Sequence, residues 1–293
     1  PRYGELNPKL IEEVLLRGRG KSTRKLVEVD ISNLPTRPPM LCPGCPHRAS
    51  FYILRKVFPR ESTIFTTDIG CYALGVFPPI SIGDTLLAMG ASIGLGVGLS
   101  LTNKGKKVVA VIGDSTFYHA GIPGLINSIY NMHPILIVIL DNAWTAMTGH
   151  QPNPGTGLNA FRRKAPRVSI EEICRAAGIK RAHVLNPFDV KSSIKTLTKL
   201  KSLAETSVVV FKSPCAIAVR REKRRVGEKI KYMMVDESKC TKCLACINQL
   251  TCPAIYRNEE SKVIIDRELC VGCMLCASIC PFNAIVEGGE KTP

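Results

Sequence analysis

The chain has 293 residues, of which 45% are hydrophobic and 22% are charged, so it has material for about two domains and is too apolar for a disordered or collagen-like protein. It carries a net charge of +16 and contains 13 cysteines. An odd number of cysteines in a chain of this length argues against a small secreted disulfide scaffold. Clustered cysteines favour metal or redox chemistry in a reducing compartment, and we expect the cytoplasm. The start at Pro1 predicts that the chain is part of a longer protein.

The net positive charge of the chain comes from the first 230 residues. Residues 231–293 contain seven basic and eight acidic side chains, which leaves +17 on the remainder, with basic runs at 17–25, 162–167 and 220–231. The few aromatic residues are not interleaved with these runs, which argues against a nucleic-acid platform. A solvated basic surface, or one that receives an acidic protein, is the favoured interpretation.

Two changes in composition predict the domain boundaries. A proline-rich stretch at 34–39 precedes the main domain, and the basic segment 220–230 separates it from the densest group of cysteines. We therefore expect an N-terminal arm at 1–39, a main domain at 40–219, a linker at 220–230 and a small domain at 231–293.

The main domain alternates predicted strands with predicted helices. Short runs rich in Val and Ile predict buried strands at 108–112, 135–140 and 208–211. Amphipathic patterns predict helices at 122–130, 170–177 and 189–203. This alternation predicts an α/β fold with a parallel sheet covered by helices on both faces.

The segment 85–103 has no charged residue, and Gly90, Gly94 and Gly98 repeat at four-residue spacing within it. Its length is compatible with a membrane span. Because it is rich in Gly and Ser and leads on both sides into α/β patterns, we predict no membrane span but a buried helix whose glycines permit close packing.

Polar residues follow two of the predicted strands. Gly113, Asp114 and Ser115 follow the first, and Asn142 follows the next. Parallel strands end at one edge of a sheet, so Asp114 and Asn142 should lie side by side as oxygen donors for Mg²⁺ on a diphosphate. The alternative is that Asp114 merely caps the next helix.

The last 54 residues contain two cysteine runs of the bacterial ferredoxin type. The second is Cys270-x2-Cys273-x2-Cys276-x3-Cys280-Pro281, and the first, Cys240-x2-Cys243-x2-Cys246-x5-Cys252-Pro253, carries two extra residues. In two-cluster ferredoxins the last cysteine of each run ligates the other cluster. We therefore predict a small α+β ferredoxin-like domain with one [4Fe–4S] cluster on Cys240, Cys243, Cys246 and Cys280, and another on Cys270, Cys273, Cys276 and Cys252. Zinc is the alternative that this spacing disfavours.

The other cysteines are scattered through the main domain. Cys42-x-x-Cys45 could be half of a zinc ribbon, but no second pair follows it in that domain. Cys174 lies in a helical pattern and is most simply a small buried side chain.

Several motifs together resemble the alpha subunits of indolepyruvate:ferredoxin oxidoreductases, within the 2-oxoacid:ferredoxin oxidoreductase superfamily. They are Cys42-Pro-Gly-Cys45-Pro-His47-Arg48, Thr67-Asp-Ile-Gly-Cys71-Tyr72, Met89-Gly-Ala-Ser-Ile-Gly94, Gly113-Asp114 with Asn142, and Thr145-Ala-Met-Thr-Gly-His-Gln-Pro152. Two positions depart from the general thiamine diphosphate motif. Ser115 replaces its third glycine, and Trp144 replaces a smaller residue.

The resemblance implies the cofactor-binding residues. Asp114 and Asn142 would bind the Mg²⁺ of thiamine diphosphate, with the backbone carbonyl of Trp144 as a third ligand. The residues expected near the cofactor are Gly70, Cys71, Ser92, Gly113 and Ser115. The histidines that could contact the reacting groups are His47, His119 and His150. A third [4Fe–4S] cluster would be held by Cys42, Cys45, Cys71 and Cys215.

The resemblance also implies a reaction and its partners. It predicts oxidative decarboxylation of aryl 2-oxoacids such as indolepyruvate, with CoA as co-substrate and ferredoxin as electron acceptor. A beta subunit and a pyrimidine-side thiamine domain would be required, so the chain alone should be inactive. The alternatives are a sister enzyme for pyruvate, branched-chain acids or 2-oxoglutarate, and a non-catalytic iron–sulfur electron-transfer module.

Overall fold

A computed structural model describes residues 7–17, 38–103 and 105–293 of the chain. Its helices are α1 Pro8–Arg17, α2 Pro46–Val57, α3 Ala91–Thr102, α4 Asp114–Thr116, α5 Ile122–Tyr130, α6 Ile170–Ala176, α7 Val190–Lys201, α8 Ala216–Arg225, α9 Ala245–Asn248 and α10 Leu275–Ile279. Its strands are β1 Thr63–Thr67, β2 Thr85–Leu86, β3 Lys107–Gly113, β4 Leu136–Asp141, β5 Ala182–Leu185, β6 Ser207–Lys212, β7 Ile230–Val235, β8 Ile255–Arg257, β9 Val263–Ile265 and β10 Ile285–Lys291. The chain divides into a unit of residues 1–38, where α1 lies, and a unit of residues 39–293.

The main domain is built on a six-stranded sheet in the order β2-β1-β3-β4-β6-β5, with every neighbouring pair parallel. The predicted α/β fold is confirmed, and the three predicted strands correspond to β3, β4 and β6. The sequence did not indicate β1, β2 or β5. Those strands lie towards the edges of the sheet and lack the continuous apolar runs that mark the central strands.

Side chains of the central strands alternate between two hydrophobic clusters. On β3, Val109 and Val111 face one cluster, whereas Val108, Ala110 and Ile112 face the other. The first cluster also contains residues of α2, α7 and the cysteine-rich domain. The second contains residues of α3, α5 and α6. Both faces are therefore covered, as a parallel sheet requires.

The cysteine-rich domain has a ferredoxin-like architecture with an internal repeat. β7 pairs antiparallel with β10, and β8 pairs antiparallel with β9. The two cysteine runs place left-handed residues at equivalent positions, with Lys242 and Leu244 in one and Gly272 and Met274 in the other. These turns lead into α9 and α10, whose N-caps are Leu244 and Met274. The predicted ferredoxin-like fold is confirmed.

The segment 85–103 forms β2 and the 12-residue helix α3. Within the described ranges, no helix is both long and apolar enough to cross a bilayer. The expectation that the glycine repeat packs closely was wrong for Gly94 and Gly98, because a Cβ at either would meet only open space. Gly96 faces the sheet instead, where a Cβ would lie 3.2 Å from Thr66 Oγ1.

Helix α8 occupies part of the region predicted as a linker. It spans Ala216–Arg225 and ends in Lys223, Arg224 and Arg225. The predicted linker at 220–230 is thus partly helical. The basic run at 17–25 and most of the predicted arm at 1–39 fall outside the described residues.

Two adjacent residues on α5 provide a test of the core. Leu125 is fully buried, whereas its neighbour Ile126 is 54% exposed. We expect Leu125→Ala to lower the free energy of unfolding by about 2–5 kcal/mol, because it removes buried methyl groups and leaves a cavity. Ile126→Ala is the matched control and should cost less than about 1 kcal/mol. Denaturant titration followed by far-ultraviolet circular dichroism measures both, and equal losses would contradict the assignment of faces.

Candidate cofactor-binding site

Four parallel strands end at the same edge of the sheet, and each leads into a candidate site residue. Cys71 follows β1, Asp114 follows β3, Asn142 follows β4 and Cys215 follows β6. Gly113 pairs with Leu140 across β3 and β4, which places the ends of these two strands side by side. The Cys215 amide also donates to the carbonyl oxygen of Asn142 at 3.0 Å. The topology therefore gathers these residues although they are far apart in sequence.

The sheet edge borders a cavity of about 530 Å³ with a largely apolar wall. The expected cofactor contacts that line it are Gly70, Cys71, Gly113, Asp114, Ser115, Asn142 and Trp144. Met89, Leu140 and Met147 contribute to the apolar part of the wall. The combination of a concave apolar wall with a few polar groups is typical of a cofactor site.

Asp114 is a buried carboxyl held by Asn153, whose Nδ2 donates to its Oδ2 at 3.0 Å. Burial, followed by the nearby charge of Asp141, raises the pKa of Asp114 well above its ordinary value. No cation of the protein neutralises Asp114 within the described ranges. A carboxyl in this environment fits a divalent cation, which would displace the proton and replace it as counter-charge.

Asn142 sits in a tight turn that follows β4. Its Oδ1 accepts a hydrogen bond from the Trp144 amide at 2.9 Å, and the intervening Ala143 has a positive φ of 64°. Its Nδ2 lies 3.2 Å from His47 Nε2. Burial lowers the pKa of His47 to about 4, so this imidazole is neutral at physiological pH. His47 therefore serves as a hydrogen-bonding neighbour of the cavity without adding a charge.

Gly70 and Gly113 lie at positions where the structure leaves no room for a side chain. A Cβ at Gly70 would lie 2.4 Å from the ring of Tyr72, and one at Gly113 would lie 2.6 Å from it. Tyr72 is buried and lines the same cavity. The two glycines thus let the Tyr72 ring pack closely beneath the strand ends.

Three of the residues predicted near the cofactor or the reacting groups do not line this cavity: Ser92, His119 and His150, of which His150 is described with the second cavity below. Ser92 is fully buried and binds Asp68, to which its amide donates at 2.7 Å and its hydroxyl at 2.9 Å. His119 is exposed in the π-helical turn Phe117–Gly121. Ser92 therefore fixes the start of α3 against the end of β1, and the structure gives His119 no contact with the cavity.

Sequence reasoning missed two polar residues that support the site. Asn153 holds Asp114, and the Thr145 hydroxyl donates to the Ser115 hydroxyl at 2.8 Å. Thr145 opens one of the quoted motifs and Asn153 directly follows it. Their position in or beside this motif was the available signal. Asp114, however, lies 39 residues from Asn153, and Ser115 lies 30 residues from Thr145.

A second cavity, of about 470 Å³, adjoins the first and is lined by Cys42, Cys45, Cys71 and Cys215. Burial raises the pKa of Cys45 to about 12 and that of Cys71 to about 11, with Cys215 and Cys42 adding to the shift of Cys71. His150 lines this cavity, and its Nε2 lies 3.3 Å from the Cys215 sulfur. Four thiols at one cavity, that of Cys45 buried and the other three partly buried, form a donor set that a cluster could deprotonate and bind.

The C-terminal cysteines form two further sets, and each set draws one member from the other run. One cavity, of about 350 Å³, is lined by Cys240, Cys243, Cys246 and Cys280. Another, of about 420 Å³, is lined by Cys252, Cys270, Cys273 and Cys276. Two sulfurs accept backbone hydrogen bonds, Cys270 from the Met233 amide at 3.3 Å and Cys280 from the Ala284 amide at 3.4 Å. Despite the two extra residues before it, Cys252 reaches the second run.

These sets suit clusters better than single metal ions. In the described ranges 7–17, 38–103 and 105–293, no three His, Cys, Asp or Glu side chains lie close enough together to hold one metal ion. A four-iron cluster holds its thiolates farther apart than a single zinc ion does. A Mg²⁺ ion needs only one or two carboxylates when a diphosphate supplies further oxygens, so Asp114 with Asn142 fits that ion.

Comparisons with known proteins agree with both parts of the fold. The family model described as the C-terminal TPP binding domain of thiamine pyrophosphate enzymes matches residues 68–211, and a 4Fe-4S binding domain matches residues 263–286. The indolepyruvate oxidoreductase subunit IorA of Pyrococcus abyssi is 47% identical over an alignment of 273 positions that covers 88% of this chain and 42% of that protein. The Thermococcus kodakarensis IorA is 43% identical over an alignment of 305 positions that covers 97% of this chain and 47% of that protein.

The chain spans less than half the length of these relatives. Among solved structures, a 2-oxoglutarate:ferredoxin oxidoreductase from Magnetococcus marinus aligns with 65% of this chain and 70% of its own at a TM-score of 0.54. Its sequence is 16% identical, so this likeness concerns the fold alone.

Proposed function

Because the chain belongs to the family of IorA subunits of indolepyruvate oxidoreductase, we propose that it carries the diphosphate-side thiamine site and the electron path of an aryl 2-oxoacid:ferredoxin oxidoreductase. The reaction is the oxidative decarboxylation of a substrate such as indolepyruvate to an acyl-CoA, with ferredoxin as electron acceptor. Thiamine diphosphate would supply the decarboxylation chemistry when bound, and [4Fe–4S] clusters would carry the electrons away.

The observation that supports this proposal most strongly is the continuity of the cavities. His47, Cys71, Asn142 and Ala146 line both the thiamine cavity and the adjoining cavity with four cysteines. Cys45 lines that second cavity and also the one that contains Cys252 and Cys273. Electrons released in the first cavity would thus meet a cluster site that shares its wall, and then a second that shares Cys45.

We name the three cysteine sets by their place along this path. The proximal set is Cys42, Cys45, Cys71 and Cys215. The inner set is Cys252, Cys270, Cys273 and Cys276. The outer set is Cys240, Cys243, Cys246 and Cys280. Each is proposed to hold one [4Fe–4S] cluster.

The chain's own residues would bind and orient the cofactor. Asp114 and Asn142 would hold Mg²⁺ on the diphosphate, while Asn153 and His47 keep these two side chains in place. The Trp144 carbonyl is the proposed third protein ligand, since the Asn142 side chain fixes the Trp144 backbone. Met89 and Met147 would help to exclude water from the cavity.

The proposal includes partners. Thiamine enzymes also bind the pyrimidine end of the cofactor, and we assign that role to a separate pyrimidine-side domain, acting together with a beta subunit. CoA would enter as co-substrate. The cytoplasm is the proposed location, because a reducing compartment preserves the thiolates that clusters require.

The test is reconstitution of the chain with its partner polypeptides under anaerobic conditions. We expect methyl viologen reduction that depends on thiamine diphosphate, Mg²⁺ and CoA and is faster with indolepyruvate than with pyruvate, branched-chain 2-oxoacids or 2-oxoglutarate. The chain without partners is the control and should give no turnover. A preference for another 2-oxoacid would support a sister enzyme, and clusters without thiamine binding would instead indicate an electron-transfer module.

A further inference from the structure

Arg48 lies where the main domain meets the cysteine-rich domain. It belongs to α2, is the last residue of the Cys42–Arg48 motif and is only 3% exposed. On one side its guanidinium donates to the carbonyl oxygens of Leu41 and Cys42. On the other it donates to the carbonyl oxygens of Leu250 and Thr251, the latter at 2.7 Å, and to Thr251 Oγ1 at 2.9 Å. One buried cation therefore joins the loop of the proximal set to the segment that precedes Cys252.

This cation has no carboxylate partner in the part of the chain that the structure describes. Burial lowers the pKa of the Arg48 guanidinium, and the groups that oppose this shift are the thiols of Cys252 and Cys273 in the inner set and of Cys45 and Cys42 in the proximal set. A buried charge that lacks a partner is strongly destabilising. Carbonyl oxygens satisfy its hydrogen bonds but bring no net charge. The counter-charge therefore has to come from the cysteines.

A donor of Arg48 also remains free. Its Nε is buried and has no hydrogen-bond partner among the residues that the structure describes, and the side chain lines the cavity of the inner set. Buried N–H groups are nearly always paired in folded proteins. A sulfur atom of a bound cluster would complete the hydrogen bonds of this guanidinium.

We propose that Arg48 is the shared counter-ion of the proximal and inner clusters and that its charge makes both clusters easier to reduce. This inference rests on the proposed function, because it requires clusters at both sets. Four thiolates outweigh the charge of the cluster core, so each cluster is negative and gains one more negative charge on reduction. A fixed cation stabilises the reduced form more than the oxidised form. Since a guanidinium stays protonated, this stabilisation persists throughout turnover.

The step that Arg48 assists is a single-electron transfer. The reduced proximal cluster loses one electron and is oxidised, and the oxidised inner cluster gains it and is reduced. No bond forms or breaks, and no proton moves. Because one cation faces both clusters, the favourable interaction is kept while the electron passes from one to the other.

The test is an anaerobic potentiometric titration of the full chain, followed by electron paramagnetic resonance. Arg48→Gln should lower the ratio of reduced to oxidised cluster about tenfold at a fixed potential, equal to about 59 mV for one electron, at the proximal and inner clusters. The outer cluster, which has no contact with Arg48 among these interactions, should change much less. Arg48→Lys keeps the charge and should stay closer to the wild type. Arg55→Gln, at an exposed position of α2, is the matched control and should change nothing.

Unchanged potentials in an Arg48→Gln protein with full iron content would overturn the proposal. If that variant does not retain its clusters, the wild-type protein is tested instead, after production with arginine that carries ¹⁵N only in the guanidinium. A weak hyperfine coupling from this label to the reduced inner cluster is expected, and it should vanish in Arg48→Lys. No coupling in the wild type would also overturn the proposal. An iron content of about eight per chain, in place of about twelve, would instead refute the proximal cluster and thus the proposed electron path.

Discussion

Asp114→Asn should weaken Mg²⁺-dependent binding of thiamine diphosphate about 100-fold or more in the reconstituted complex. The change keeps the size of the side chain and one oxygen that can accept from Asn153, but it removes the negative charge that a divalent cation requires. Calorimetric titration of the cofactor measures the affinity. Trp144 provides a second readout, because it is the only tryptophan of the chain and lines the cavity.

The matched control for this substitution is Asp189→Asn. Asp189 is the N-cap of α7, where Asn can replace Asp, and it does not line the cavity. This variant should bind the cofactor like the wild type. Wild-type affinity in Asp114→Asn would contradict the proposed Mg²⁺ site.

Loss of binding in Asp114→Asn should not reflect unfolding. Burial and Asp141 raise the pKa of Asp114, so the folded chain holds this proton more tightly than the unfolded chain does. The contribution of Asp114 to stability is therefore fully present below the ordinary carboxyl pKa of about 4 and is lost as the pH rises through the higher folded-state value. At pH 8 and without cofactor, Asp114→Asn should unfold at a temperature no lower than the wild type.

The sequence indicated the central part of the fold because burial there leaves a local pattern. The runs in β3, β4 and β6 are apolar on both faces, as central parallel strands must be. In contrast, β1 has the sequence TIFTT and β5 is a partly exposed edge strand, so neither contains such a run. The strand-end rule placed Asp114 and Asn142 at the same edge of the sheet, where both line the cavity.

The remaining parts of the site depend on contacts over long distances in the sequence. Asn153 reaches Asp114 only because of the path taken by the segment after β4. Arg48 contacts residues that are about 200 positions away, and no local pattern distinguishes it from the exposed arginines. The glycine repeat led to a wrong prediction of close packing. Its spacing in the sequence is regular, but in α3 this spacing points Gly94 and Gly98 away from the sheet.

Cys215→Ala should remove the proximal cluster and break the proposed path near its start. Cys215 follows β6, lines the cavity of the proximal set and acts on the pKa of both Cys42 and Cys71. The iron content should fall from about twelve to about eight per chain, since each cluster holds four irons. The rate of viologen reduction should fall more than about 100-fold. Loss of a residue that only hydrogen-bonds to a metal ligand already lowers activity roughly 10- to 100-fold, and Cys215 is a proposed ligand itself.

Cys174→Ala is the matched control, because it makes the same chemical change at another thiol of the main domain. Cys174 is fully buried in α6 within the hydrophobic cluster on the opposite face of the sheet, away from the three cysteine-lined cavities. It should keep all the iron and nearly all the turnover. Cys215→Ala should also retain thiamine diphosphate affinity, since Asp114, Asn142 and Asn153 are untouched. Retention of about twelve irons in Cys215→Ala would remove Cys215 from the proximal set. Loss of both iron and cofactor affinity would instead mean that Cys215 supports the fold of the whole sheet edge, through its backbone contact with Asn142.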